Sequence, residues 1–485
     1  MITILIIVET STARAWQAEL FARLGAAGHR IAVRQVNGAG RRSQALDFVL
    51  GLEQARAPGS LARASAPLAE RVGDGKPDLT IDLSGCSAEG HAPVLTVDFD
   101  GQRDLQAGLA AMLAGGARPV LTARLNGVAV AEGRPMLGDR IWLSRAASDL
   151  CAGAVTLLES AVTRFAAGKL LPLAAPVAAA PQRHGGDLLR RYLPHLIAGL
   201  GRRAARRLSG KRPFYWRTAH RLIEGPGLAE TLRQSESGPP FVELADDGQR
   251  FYADPFVFEW QERLYLFVEE YPYALGRGII SVAECRADGS IETPRPVLEA
   301  PHHLSYPQVF AHDGEVYMIP ESSCSNELVL YRAEQFPHNW VREAVLVAGR
   351  KLNDMTLLVR DDRFWLIGTE QRGQGSASDT MVAYSARALA GPWAPHRLNP
   401  ILIDRGAARP GGPFIVNPDG RTFLPLQDGT ETYGGGLGIA ELLVLSDDDV
   451  QFGPVQPVVP GTAWAPTGIH TLSRVGRLEV VDSCG

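Results

Sequence analysis

The sequence predicts two fold classes in series: an open, mostly parallel α/β sheet over residues 1–169, and an all-β five-bladed propeller over residues 214–485. Three observations carry this expectation. A strand–turn–strand pattern that begins at Tyr252-Ala253-Asp254-Pro255-Phe256 returns four more times before residue 485. Each interval between copies holds further strand-like runs, which brings the count to about four strands per repeat. The first 169 residues show neither feature and alternate short apolar strands with amphipathic helices.

Taken in order, the first part reads as a strand over 2–8, a helix over about 13–27, a strand over 30–36 and a helix over about 43–56. Strands at Leu79 to Leu83 and Val94 to Val97 follow, with helices near Leu105 to Gly115 and Ser148 to Ala167. The opening stretch, Met1 to Glu9, lacks a basic leader and turns polar too early for a signal peptide. No run reaches the roughly 18 apolar residues of a spanning helix, so a cytoplasmic protein is expected. Glu9-Thr10-Ser11-Thr12 stands where a dinucleotide-binding strand would be followed by GxGxxG, and no cofactor is expected.

At 485 residues the chain is long enough for two or three domains, and 45% hydrophobic with 21% charged residues describes ordinary globular material. A net charge of -4 gives no overall polyanion-binding signature, and no nucleic-acid partner is expected. Five scattered cysteines, never in CxxC spacing, read as free thiols of a reducing compartment, and no metal site is expected from them.

Residues 170–213 form the expected link. An Ala/Pro-rich stretch over 170–186 precedes a segment with Arg190, Arg191, Arg202, Arg203, Arg206, Arg207, Lys211 and Arg212 against one acid, Asp187. Leu189, Leu193, Leu196, Leu200, Ala204 and Leu208 share one helical face, giving a basic amphipathic helix with a kink at Pro194. Docking on its own domains is the plain reading of this helix. An anionic membrane surface bound through Arg190 to Arg212 is the alternative, which would place the protein at the inner face of a membrane.

In the propeller part the five copies open at Asp254, Tyr306, Asp354, Arg409 and His470, separated by 52, 48, 55 and 61 positions. The last copy holds only two strands, so strands from Trp216 to Ile223 and Phe241 to Leu244 are expected to complete its blade and remove an open edge. Residues that begin equivalent inner strands become neighbours around a central channel. Asp254, Tyr306, Asp354, Arg409 and His470 would therefore ring one mouth. Two carboxylates, a cation, an imidazole and a phenol suit a sugar or sugar-phosphate ligand. The rival reading is that Asp254-Pro255 and Asn353-Asp354 only cap turns. Glu321 and Glu370, which close the second and third copies, are further carboxylates that could reach the channel.

Three other features are ambiguous. His302-His303 has no third ligand at a helical or hairpin spacing, so no metal site is assigned. Gly434-Gly435-Gly436 is either a phosphate-accepting turn or a close-packed one. Trp216, Trp340, Trp365 and Trp393 are either sugar platforms or blade core, and core is the commoner fate.

Family resemblances sharpen these expectations. Residues 1–165 resemble folate-dependent formyltransferase domains through Pro77-Asp78-Leu79-Thr80-Ile81-Asp82-Leu83-Ser84-Gly85 and Pro93-Val94-Leu95-Thr96-Val97-Asp98-Phe99-Asp100-Gly101. Asp98-Phe99-Asp100 stands where that family carries Asn-x-His, which implies a non-catalytic version. The Ala253-Asp254-Pro255 opening and five-fold hairpins resemble the propellers of glycoside hydrolase family 43. That likeness implies Asp254 as general base and Asp354 as its orienting partner. Arg409 stands where the family's general acid opens the fourth blade, and arginine cannot serve as one.

A nearer likeness is to the N-terminal domain of glucosamine inositolphosphorylceramide transferases and its bacterial relatives. It rests on Trp216-Arg217-Thr218-Ala219-His220-Arg221, Tyr252-Ala253-Asp254-Pro255-Phe256, His303-Leu304-Ser305-Tyr306-Pro307, Tyr317-Met318-Ile319-Pro320-Glu321, Arg409-Pro410-Gly411-Gly412 and Tyr433-Gly434-Gly435-Gly436-Leu437. The resemblance implies a role in glycan or glycolipid assembly. In the plant proteins glycosyl transfer is attributed to a separate C-terminal domain that these 485 residues are not expected to contain. The expected function is action on a glycosyl bond, transfer rather than hydrolysis, with Asp254, Asp354 and Glu321 as catalytic candidates and Tyr306, Arg409, His470 and Glu370 as substrate binders. A non-catalytic glycan-binding scaffold for a separate glycosyltransferase is the alternative. A hydrolase with a relocated acid is the second alternative.

Overall fold

The computed structural model describes residues 1–37, 43–73, 75–84, 92–115, 119–174, 188–210, 212, 214–233, 238–459, 464–465 and 468–484. Gly85, Cys86, Asp187, Lys211 and most of the Ala/Pro-rich stretch lie outside the described residues. Two compact units form: Met1–Lys211 with Arg372–Ser376, and Arg212–Gln371 with Ala377–Gly485.

The first unit opens with β1 (Thr3–Glu9), whose apolar run is buried over Ile6 to Val8 as an interior parallel strand requires. It continues through α1 (Ala15–Ala26), β2 (Arg30–Val36), α2 (Gln44–Leu52), β3 (Leu79–Asp82), β4 (Val94–Phe99), α3 (Leu105–Leu113), β5 (Leu121–Leu125), β6 (Val128–Gly133) and α4 (Leu143–Ala166). Ser43 caps α2 by accepting from the Leu46 N–H, and Asp104 caps α3 by accepting from the Gln106 N–H. The strand order is β2-β1-β3-β4-β5-β6. The first four strands are parallel and the last two antiparallel, which makes the sheet mostly parallel as expected. The β5–β6 hairpin was absent from the sequence-based reading. Its turn, Asn126-Gly127, has both residues at positive φ, the geometry that Asn-Gly favours.

Helix α5 (Leu188–Leu208) packs on this unit rather than standing in a free linker. The Tyr192 hydroxyl donates to Glu53, His195 Nε2 meets the Arg140 carbonyl at 2.8 Å, and Arg203 pairs with Asp139 at 2.9 Å. Gly199 lies so close to Ile141 that a Cβ there would come within 2.8 Å of its side chain. The docked face is therefore that of Leu188, Tyr192 and Gly199, and not the leucine stripe expected to dock.

The second unit is a five-bladed propeller. It begins with β7 (Trp216–Leu222), a short helix α6 (Leu228–Thr231) and β8 (Val242–Glu243). Blade 1 holds β9 (Arg250–Trp260), β10 (Arg263–Pro272), β11 (Ile279–Cys285) and β12 (Arg295–Leu298). Blade 2 holds β13 (Ser305–His312), β14 (Glu315–Glu321), β15 (Glu327–Gln335) and β16 (Asn339–Ala348). Blade 3 holds β17 (Leu352–Arg360), β18 (Arg363–Glu370), β19 (Thr380–Ala386), β20 (Ala394–Pro395) and β21 (Leu402–Ile403). Blade 4 holds β22 (Ile415–Val416), β23 (Thr422–Gln427), β24 (Leu437–Leu445), β25 (Val450–Phe452) and β26 (Gln456–Pro457).

The final sheet has the order β27-β28-β7-β8, with β27 (Leu472–Val475) and β28 (Leu478–Cys484). Strands from the start of the unit thus complete the last blade, as the truncated fifth copy predicted. Leu478 to Cys484 pairs with Leu222 to Trp216 along the whole of β7. Apolar clusters fill the space between adjacent blades. Phe256, Phe267, Met318 and Val329 join blades 1 and 2, and Ile319, Leu330, Leu357 and Leu366 join blades 2 and 3. Ile367, Ala383, Leu424 and Leu426 join blades 3 and 4, Ile439 and Leu472 join 4 and 5, and Leu266 with Val480 closes the ring.

Candidate functional site

The inner strands of blades 1 to 3 share one irregularity. Register slips between Ala253 and Phe256, between Ser305 and Gln308, and between Asn353 and Thr356. The residue set free at each slip has left-handed backbone: Asp254 at φ 47°, Tyr306 at 47° and Asp354 at 48°. A non-glycine residue held there costs on the order of 1–3 kcal/mol, and bulges of this kind re-aim side chains. Three blades thus hold the first residue of each copy in a strained bulge. The other two copies open differently: Arg409 lies ahead of β22, its carbonyl accepting from the Gln427 N–H, and the His470 N–H bonds to the Asp482 carbonyl ahead of β27.

Arg409 grips Asp354 with two bonds, Nε to Oδ2 at 2.6 Å and Nη2 to Oδ1 at 3.2 Å, and Gln427 adds a third at 2.7 Å. Burial raises the Asp354 pKa, while Arg409 and Gln427 oppose the rise. Burial disfavours the Arg409 charge, but Asp354 overcomes this and holds the guanidinium protonated. Arg409 also lies 5.5 Å from the Tyr433 ring centroid.

Asp254 is different. Its side chain keeps 11% exposure against 1% for Asp354. Among the described residues its nearest basic atom is His470 Nε2 at 3.9 Å. Burial, followed by the neighbouring Asp482, Asp354 and Glu269, pushes the Asp254 carboxyl well above the usual carboxylate range. Glu269 shares that condition, raised by burial and then by Glu321, Asp482 and Asp354. Its partner is His303 Nε2 at 3.4 Å, with His303 Nδ1 accepting from the Gly278 N–H. Asp482 is raised to about 6, chiefly by burial, although it accepts from the Asp254 N–H and from Thr471. Burial lowers His470 to about 3, so its imidazole is neutral at pH 7. The mouth therefore carries one internal ion pair and three carboxyl groups, Asp254, Glu269 and Asp482, whose pKa values burial and mutual repulsion raise.

This alters several expected roles. Burial and the neighbouring carboxyl groups favour the protonated form of Asp254, which works against its expected role as a base. Tyr306 does not line a binding surface: its hydroxyl accepts from the Gly412 N–H, contacts the Gly412 carbonyl at 3.0 Å and meets Thr356 Oγ1 at 3.0 Å. It pins blades 2, 3 and 4 together. Arg409 clamps a carboxylate, but one belonging to the protein. Glu321 stands beside the mouth, accepting from Ser305 Oγ and the Ser323 N–H. Glu370 is out of phase. Glu269 and Glu321 lie opposite Ala253 and Ser305, and in blade 3 the equivalent place opposite Asn353 belongs to Thr369. Glu370 accepts from Arg350 at 3.0 Å, just as Glu270 accepts from Arg250.

The site also includes residues that the opening positions of the copies did not reveal: Glu269, Asp482, Gln427, Tyr433, Trp216 and His303. The signal for the first three was the polar residue closing the second strand of each copy. Trp216 stacks near His470, with centroids 4.6 Å apart, and near Tyr433 at 5.8 Å. Trp340, Trp365 and Trp393 belong to the inter-blade cores. The Gly434 turn is a close-packed one, since a Cβ there would lie 2.3 Å from the Trp216 ring.

Fold and site define a five-bladed propeller with an acidic mouth. Residues 242–470 match the family model of the N-terminal domain of glucosamine inositolphosphorylceramide transferase 1. The Arabidopsis thaliana protein of that name is 35% identical over 205 residues, which cover 41% of this chain and 26% of the plant protein. Its counterpart from Oryza sativa subsp. indica is 34% identical over 210 residues, 42% of this chain and 28% of that protein. The match thus spans about a quarter of the length of these curated relatives. The resemblance read from the sequence motifs holds for the propeller. Similar solved structures include an exo-β-1,3-galactanase from Clostridium thermocellum, at 16% identity over 44% of this chain and 54% of that one, TM-score 0.35. Another is a family 43 enzyme from Xanthomonas citri complexed with xylose, at 15% identity over 48% and 87%, TM-score 0.34.

Proposed function

We propose that the propeller mouth binds a sugar of glycan or glycolipid assembly and acts on its glycosyl bond, by transfer rather than hydrolysis. The observation that carries this reading is the state of Asp254: buried, partly open to the channel, strained into position and without a cation partner among the described residues. A carboxyl whose protonated form is favoured by burial suits donation to the leaving oxygen of a glycosyl bond. Glu321 is the carboxylate offered to the proton of an acceptor hydroxyl. Trp216 and Tyr433 supply aromatic surface beside it. The relatives' name, glucosamine inositolphosphorylceramide transferase 1, fits the excess of carboxyl groups, since an amino sugar would bring a positive charge to Glu269 and Asp482 beside the proton donor Asp254.

A second reading, a glycan-binding scaffold for a separate glycosyltransferase, is favoured by the closed Arg409–Asp354 pair, which leaves no free guanidinium for a donor phosphate. One experiment separates the two. Melting temperature is followed with nucleotide sugars, glucosamine and N-acetylglucosamine glycosides, and products are sought by mass spectrometry, for wild type and Asp254→Asn. The expected result is stabilisation by glucosamine compounds that strengthens as pH rises through the raised carboxyl range, with turnover lost in Asp254→Asn. Binding without turnover would leave the scaffold. Stabilisation that is unchanged in Asp254→Asn would remove the mouth from the account.

A further inference from the structure

Helix α5 carries two apolar faces, and the fold uses one. Leu188, Tyr192 and Gly199 dock on the α/β unit. On the other side Leu189, Leu193, Ile197, Leu200 and Leu208 are 43, 59, 64, 41 and 87% exposed. Spacings of four, four, three and eight residues place these five on one stripe of the helix. A stripe of large aliphatic side chains in water is unusual for a single protein surface and marks a contact.

The charge on the same helix names the partner. α5 contains six arginines and no acid. Arg203 is tied to Asp139, whereas Arg190, Arg202, Arg206 and Arg207 are exposed and pair with no acidic side chain among the described residues. Arg190 and Arg207 flank the stripe by helical angle, and Arg202 and Arg206 extend the positive field around the C-terminal turns. An apolar stripe bordered by guanidinium groups is the build of a helix that lies in the interface of an anionic bilayer, its leucines among acyl chains and its arginines at the headgroups. Nucleic acid would take the arginines but leave the stripe in water. No helix among the described residues is long and apolar enough to cross a membrane, so the contact is peripheral.

We infer that the outward face of α5 is a docking surface for anionic lipid membrane, anchored by Leu193 and Ile197 and held by Arg190 and Arg207. This is independent of what the propeller mouth binds. Pro194 supports it: a proline within the helix opens backbone hydrogen bonding on this outer side, which the docked face could not tolerate as easily.

The test is flotation of the whole chain with vesicles of phosphatidylcholine alone or mixed with phosphatidylglycerol, at low and high salt. Wild type is expected to float with the mixed vesicles at low salt and to be released by high salt, since each surface arginine contributes about fivefold in partitioning. The double variant Leu193→Glu/Ile197→Glu should reduce flotation at least about tenfold, and Arg190→Gln/Arg207→Gln by more at low salt than at high. Both variants change exposed side chains, and unchanged melting curves show that the fold is intact. The inference is overturned if wild type does not float, floats equally with neutral vesicles, or is unaffected by the double variant. It is also overturned if light scattering shows a wild-type dimer that the double variant dissolves while flotation is absent.

Discussion

At the strand ends of the α/β unit, Asp82 and Asp98 each hold an arginine: Arg103 Nη1 at 2.9 Å and Arg124 Nε at 2.6 Å. In the propeller mouth Asp354 does the same with Arg409, but Asp254 and Glu269 meet only histidines, at 3.9 and 3.4 Å. On the proposed function, the difference separates carboxylates that serve the fold from those left for a ligand. A paired carboxylate has its charge answered within the protein, and adding a ligand gains little. A buried carboxyl without a cation either keeps its proton or waits for a partner. The Asp98-Phe99-Asp100 stretch belongs to the first kind, since Asp98 is already occupied by Arg124.

The comparison can be broken at its strongest point by Arg409→Met. Removing one member of a buried pair strands Asp354, and a loss of about 3–5 kcal/mol is expected in urea unfolding monitored at the propeller tryptophans. A loss under about 1 kcal/mol would mean that Asp354 finds another partner. The pH dependence sharpens the contrast. Asp254, Glu269 and Asp482 have folded pKa values above their unfolded ones, so the folded state binds more protons. Stability is then fully present below the ordinary carboxylate range and is lost as pH rises through the raised range of each group, about 6 for Asp482. His470 acts oppositely: its contribution is present above 6.5 and lost as pH falls toward about 3. Melting temperature should accordingly fall less steeply with rising pH in Asp254→Asn than in wild type. An unchanged slope would show that Asp254 ionises freely. The smallest effect is expected from Arg124→Gln, whose partner pair is partly exposed and worth up to about 1 kcal/mol. A loss as large as that of Arg409→Met would erase the distinction between the two regions.

The repeat was legible in the sequence because each blade restates one hairpin, with turns at Gln261-Glu262, Asp313-Gly314 and Asp361-Asp362 at positive φ. The two-strand fifth copy foretold its completion by β7 and β8 for the same reason: a half-blade leaves an edge. The β5–β6 hairpin was also legible, at Asn126-Gly127, and was passed over because the surrounding pattern favoured alternating strands and helices. Glu370 shows what could not be read. It closes the third copy as Glu321 closes the second, yet a one-residue difference in phase turns it to the other side of its strand, toward Arg350. The leucine stripe of α5 is a second case, since periodicity finds an apolar face but not what the face touches.

By itself, then, the sequence determined the two architectures, the five-fold period, the blade closure, and Asp254, Asp354, Arg409 and His470 as neighbours at one mouth. These follow from local hydrophobic alternation and turn chemistry, which act within a few residues. Tertiary structure alone decided that Arg409 belongs to Asp354, that Tyr306 is a pin between blades, and that burial raises the pKa values of Asp254 and Glu269. Pairing across 55 positions and the desolvation of a carboxyl depend on which side chains closure brings together, and no local pattern encodes them.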